Sequence, residues 1–185
     1  MAATELVAVA FGFAYIVLAI RQHRACWIAG GISSAVYISI FVEAGLPLQA
    51  ALQVVYVAMS VYGWIAWRPG GEVAPRPRSW PWPRHLIALA AVGIAAAIGA
   101  PLLARFAGSD APLADSLGSL ASIVATWLLA RRYIDTWYWW IAVDTGLAAL
   151  FASQGFRLTA ALYLAYALMA IAGWRSWRRS QAVPP

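Results

Sequence analysis

Residues 85–104, bounded by Arg84 and Arg105, contain no Asp, Glu, Lys or Arg. A helix of about 20 mostly apolar residues crosses the hydrocarbon core of a bilayer. Similar runs at 3–20, 25–42, 47–66, 114–130, 136–153 and 157–174 leave only short connections elsewhere in the chain. In lipid every backbone N–H and C=O needs a partner within the protein, which restricts spanning structures to helices and closed barrels. Barrel strands alternate in polarity over about ten residues, and no such segments are present. The expected fold class is therefore an all-α polytopic membrane protein with seven transmembrane helices, in keeping with a mean hydropathy of +0.72.

The charges orient these spans. All 13 basic residues are Arg. With seven crossings, one side carries Arg21, Arg24, Arg68, Arg76, Arg78, Arg84, Arg131, Arg132, Arg175, Arg178 and Arg179, and the other only Arg105 and Arg157. Cytoplasmic loops hold such an excess, so the N-terminus is expected outside and the C-terminus in the cytoplasm. The net charge of +6 serves orientation, and no nucleic-acid partner is expected; membrane lipid is. The single cysteine, Cys26, allows no intrachain disulfide and no thiolate metal site and reads as a buried apolar residue. Neither metal nor cofactor is expected. No basic stretch precedes the first run, so it reads as a span and not as a removed signal. His23 and His85 fall in Arg-rich connections and read as surface residues. Trp64, Trp67, Trp174 and Trp177, at the ends of the third and seventh runs, read as an interfacial aromatic belt, as do Trp137, Tyr138 and Trp139 taken singly.

Residues 41–68, "FVEAGLPLQAALQVVYVAMSVYGWIAWR", align without a gap on residues 151–178, "FASQGFRLTAALYLAYALMAIAGWRSWR". The offset is 110, and twelve of the 28 positions are identical. The same offset pairs Trp27 with Trp137 and Arg21 with Arg131, which extends the repeat to 5–68 and 115–178. The expected organisation is a first three-helix bundle at 1–68, a Pro-rich cytoplasmic linker with connecting helix at 69–113, a second bundle at 114–178, and a disordered tail at 179–185. Three crossings plus one return the chain to its starting side, so the two repeats are expected to be parallel. This is the three-plus-one-plus-three arrangement of the SWEET sugar carriers, and repeat transporters place substrate near the midplane where their repeats meet.

Trp137, Trp140 and Asp144 follow the i, i+3, i+7 spacing of one helical face. At about 1.5 Å per residue, Asp144 is expected close to the bilayer centre. A charge there costs at least about 2.5–3.5 kcal/mol on insertion scales, and intramembrane ionisable residues are functional candidates by default. The bland alternative, a protonated or structurally paired carboxylate, competes with this reading, but no Arg lies in the interior of any span to pair it, Arg157 standing at the first residue of its own. Gln53, Tyr56 and Ser60 repeat the spacing on the third run. At the offset of 110, Ser34 matches Asp144, Tyr163 matches Gln53, and Tyr166 matches Tyr56. Scaffold positions are symmetric and these polar ones are not, as befits a shell around an asymmetric ligand. The candidate substrate-binding residues are Trp137, Trp140, Asp144, Gln53 and Tyr56, followed by Ser33, Ser34, Tyr37 and Tyr166. The chain has no Lys and hence no GxxxxGK[ST] loop. Facilitated diffusion is the simplest transport mode, and the chain lacks the Ser/His, Asp/Asp or metal-ligand pairs of an intramembrane enzyme.

"LQVVYVAMSVYGWIAW" in the third run resembles the LQ–x–x–Y/F…YGW–x–x–W signature of the PnuC family of bacterial nicotinamide riboside transporters. "ARRYIDTWYWWIAVD" resembles that family's R–K–Y–x–E–N–W–x–x–W–x–x–x–N motif. The resemblance spans nearly the whole chain. It implies passive uptake of nicotinamide riboside across the bacterial cytoplasmic (inner) membrane, trapping by cytosolic phosphorylation, and a homotrimer. Trp137, Trp140, Gln53 and Tyr56 fall on motif positions, whereas Asp144 and Thr136 stand where the motif has Asn. Relatives of the family carry thiamine or riboflavin, so these departures bear on the substrate. Nicotinamide riboside and thiamine are aromatic cations suited to indole faces and a carboxylate; riboflavin is neutral and suits them less. A SWEET-like sugar carrier shares the architecture without accounting for Asp144, and a non-transporting scaffold would need a partner domain.

Overall fold

The structure, a computed structural model, describes residues 2–68, 76–107 and 111–182. Among these residues there are seven helices: α1 (Ala2–Ile20), α2 (Cys26–Glu43), α3 (Pro47–Ala66), α4 (Trp82–Ala107), α5 (Pro112–Ala130), α6 (Thr136–Ser153) and α7 (Arg157–Ala182). Six are long and apolar enough to cross a membrane. The exception is α6, whose 18 residues include Trp137, Tyr138, Trp139 and Trp140, groups of low hydropathy, together with Asp144. The chain divides into two compact units, Met1–Pro75 and Arg76–Pro185. In the first, α2 packs on both α1 and α3; in the second, α4 packs on α5, α5 on α6, and α6 on α7.

Within each unit the helices end by the same devices at an offset of 110. At the end of α1, Gln22 adopts φ +56°, the N–H of His23 donates to Leu18 O at 2.9 Å, and that of Gln22 to Ala19 O at 3.0 Å. This pair of bonds is a Schellman cap, which needs one residue in the left-handed region. At the end of α5, Arg132 has φ +55°, with Tyr133 N–H on Leu128 O and Arg132 N–H on Leu129 O, both at 2.9 Å. The caps after α2 and α6 use glycine instead, Gly45 at φ +71° and Gly155 at φ +85°, where the missing Cβ removes the steric penalty.

The seams between neighbouring helices match in the same way. Trp27 lies edge-on against Trp67 at 5.6 Å and 88°, over Gly63. Trp137 lies edge-on against Trp177 at 5.6 Å and 86°, over Gly173. These indoles are packing groups, not a belt: Trp67 and Trp177 are buried, as are Trp137 and Trp139. Only a glycine opposite leaves room for an indole inside a helix–helix seam. Trp64, half-buried, lies under the Arg24 guanidinium at 3.5 Å, whose Nε donates to Trp64 O at 2.8 Å.

Two further expectations are corrected. His85 is a buried residue in the first turn of α4, because the Trp80 ring at 4.7 Å and Trp139 cover it. The expected tail is helical as far as Ala182. Arg179 in its last turn complements the helix dipole, Trp177 is fully buried, and Gln181 Nε2 donates to Pro77 O at 2.8 Å. Residues 183–185 and part of the expected linker, 69–75, lie outside the described residues. Cys26 is fully buried and His23 exposed, as expected.

Candidate substrate-binding site

The register of each seam places the candidate residues. Trp27 faces Gly63, and one turn on, Gly31 faces Ser60. The next turn of these antiparallel helices brings Ser34 level with Tyr56, and Tyr37 level with Gln53. In the second unit Trp137 faces Gly173, so two turns on Asp144 is level with Tyr166. By this register Ser34, Tyr37, Gln53 and Tyr56 fall at neighbouring levels of the α2–α3 pair, and Asp144 and Tyr166 at one level of the α6–α7 pair.

Asp144 is only 5% exposed and has no hydrogen-bond or ion-pair partner among the described residues. An isolated buried carboxylate is expensive, and such groups are ordinarily paired or hydrogen-bonded. Ser34 is buried and Gln53 half-buried, each likewise without a partner among the described residues. Tyr56 and Tyr166 are half-buried. Tyr37 stacks on Phe41 at 5.6 Å.

Ser33 is differently placed. Its Oγ donates to Ala8 O at 2.8 Å, so its hydroxyl ties α2 to α1. Trp137 and Trp140 also diverge from the single stripe that their spacing suggests. The Trp137 ring occupies the α6–α7 seam, and its indole N–H, like that of Trp27, has no partner among the described residues. Trp140 packs against the cluster of Val92, Ala125, Leu128 and Trp139. Its position matches Gly30 of the first unit, where the Tyr15 ring fills the space instead; Ala125 matches Tyr15. One unit takes its ring from the first helix and the other from the second.

Three further polar groups of the second unit lie within its helices. Tyr163 stacks on Phe151 at 5.4 Å and meets Tyr166 edge-on at 6.0 Å; its match to Gln53 was the available signal. Ser122 and Thr126 on α5 donate to Gly118 O at 2.7 Å and Ser122 O at 2.8 Å. Satisfying their own helix in this way, hydroxyls can sit within a span at low cost.

Fold and site together define a multi-pass helical membrane protein that buries polar side chains at the depth of its spans. The chain belongs to the nicotinamide mononucleotide transporter family, which matches residues 2–179. It is 27% identical over 180 residues to the riboflavin/roseoflavin transporter RibM of Streptomyces davaonensis, covering 94% of this chain and 84% of that one. It is 28% identical over 203 residues to the nicotinamide riboside transporter PnuC of Escherichia coli, covering 95% and 85%. The crystal structure of the vitamin B3 transporter PnuC superposes with a TM-score of 0.75 at 23% identity, over 96% of this chain and 81% of that one.

Proposed function

We propose that this protein carries nicotinamide riboside across the bacterial inner membrane by facilitated diffusion, with cytosolic phosphorylation trapping the product. The observation that carries the reading is Asp144, a buried carboxylate without a partner among the described residues. A cationic ligand supplies the missing charge, and the pyridinium of nicotinamide riboside is a planar cation that aromatic faces also attract. Trp140, Asp144 and Tyr166 are the groups proposed in the second unit, on α6 and α7; in the first unit the corresponding polar set is Ser34, Tyr37, Gln53 and Tyr56, on α2 and α3.

The reading includes seven crossings, α6 among them, because polar residues within a span face the protein interior. Two three-helix repeats then cross in the same direction, with the N-terminus outside and the C-terminus cytoplasmic. The functional form is a homotrimer.

Riboflavin is the second reading, since identity to the riboflavin/roseoflavin transporter and to the nicotinamide riboside transporter is nearly equal. The neutral flavin ring would leave Asp144 uncompensated, which favours the cation. Thiamine satisfies the same charge argument as nicotinamide riboside. Calorimetry with all three ligands on the purified protein, combined with proteoliposome uptake in the absence of ion gradients, separates these readings. Binding of nicotinamide riboside with gradient-free uptake supports the proposal. Silence toward it, with riboflavin or thiamine bound, transfers the function to that vitamin, and strict gradient dependence overturns facilitated diffusion.

A further inference from the structure

Asp135 stands at the N-cap of α6, where an aspartate ordinarily accepts a hydrogen bond from the first turn of its own helix. It makes no such bond. Its Oδ2 instead accepts from the backbone N–H of Trp80 at 2.6 Å, and its Oδ1 lies 3.4 Å from Nε2 of His85. The Nδ1 of His85 accepts from the indole N–H of Trp139 at 3.2 Å. Since Nδ1 accepts, the imidazole proton of the neutral ring resides on Nε2 and points at Asp135. An indole–imidazole–carboxylate–amide chain thus joins α6, α4, the α5–α6 turn and the segment leading into α4.

That segment is held independently of the chain. The N–H of Arg78 donates to Arg132 O and the N–H of Ile134 to Arg78 O, both at 2.9 Å. The first unit has no equivalent: at the offset of 110, Asp135 and Trp139 match Ala25 and Ala29, neither of which has a polar side chain. The asymmetry falls on the helix that carries the proposed substrate residues. Trp139 precedes Trp140 directly, and Asp144 follows about 7.5 Å further along the axis. Any rotation of the first turn of α6 is therefore transmitted to both.

We propose that Asp135 and His85 are positioning residues for transport, holding the first turn of α6 so that Trp140 and Asp144 present correctly to the substrate. This rests on the reading of Asp144 as a substrate-facing group. The test uses the full-length protein with Asp135→Ala, His85→Ala and His85→Gln. A glutamine amide can accept from the Trp139 indole and donate to Asp135, so it replaces the imidazole in both bonds. Two quantities are measured: KM and maximal rate for nicotinamide riboside in proteoliposomes, and hydrogen–deuterium exchange across residues 133–140.

The two alanine variants are expected to raise KM at least tenfold and to speed exchange in this segment at least tenfold. His85→Gln stays within threefold of the parent in both. The proposal is overturned if His85→Gln is as impaired as His85→Ala, if exchange is unchanged in the alanine variants, or if exchange quickens while KM does not move. Should Asp135→Ala fail to fold, the two His85 variants decide the question alone. The exchange measurement involves no substrate, so it separates the two ideas. Loss of the Asp144 reading shows as unaltered binding in Asp144→Asn; loss of the positioning role shows as weakened binding there with no effect at residues 85 and 135.

Discussion

The six-membered ring of Trp137 fills the notch that Gly173 leaves in α7, where an added Cβ would come within 2.6 Å of it. Because the indole is also wedged against Trp177, it has no path of retreat. Gly173→Ala should therefore lower stability by about 1–3 kcal/mol, the usual cost of overpacking a well-filled seam. Thermal unfolding in detergent checks this, with Gly146→Ala as the control. Nothing lies within 4 Å of a Cβ on Gly146, so that variant should melt no lower than the parent.

Tyr15 and Gly30 in the first unit exchange roles with Ala125 and Trp140 in the second. A Cβ on Gly30 already lies 2.9 Å from the Tyr15 ring, so Gly30→Trp alone should fail to yield monodisperse protein. Adding Tyr15→Ala reproduces the pairing of the second unit and should restore it. Size-exclusion profiles of the single and double variants test the compensation, and failure of the double variant would show that the two seams are not interchangeable.

The caps after α1 and α2 predict opposite signs. Gln22 pays the left-handed penalty of a residue with a Cβ, about 1–2 kcal/mol, so Gln22→Gly should raise the unfolding temperature. Gly45→Ala places a Cβ on a backbone at φ +71° and should lower it by a comparable free energy. Reversal of either sign in a thermal melt would contradict the cap assignment.

Asp144→Asn keeps the shape of the side chain and removes its charge. If the carboxylate offsets a cationic ligand, affinity should fall by about 2 kcal/mol, or roughly thirtyfold in Kd. Glu43→Ala, an exposed acid at the end of α2, should change it less than twofold. Calorimetry with nicotinamide riboside reads both, and equal small effects would mean that Asp144 does not meet the ligand.

Much of the candidate site could be read from the chain, but unevenly. Asp144 stood out because one acid amid an apolar run is a local property, and burial without a partner among the described residues matches its prominence. Ser33 looked equivalent to its neighbour Ser34, yet its hydroxyl is spent on Ala8 O. That difference depends on what faces α2 and has no trace in its own spacing. Trp137 and Trp140 shared a face by periodicity, while their rings pack in different places, one over Gly173 and the other against Ala125 and Leu128. His85 looked like a loop residue because arginines surround it in sequence; its burial comes from Trp80 and Trp139, which the chain folds over it.

The chain by itself determined the helices and the correspondence at an offset of 110, since these depend on runs of residues. Only the tertiary structure decided which tryptophans are mortar and which polar groups are left over. An indole at a given depth can point to lipid or into a seam, and the choice is made by a glycine some 36 residues away. The same is true of a carboxylate, whose character depends on whether the folded chain brings it a partner. For Asp135 it brings a histidine and a backbone amide; for Asp144, among the described residues, it brings none.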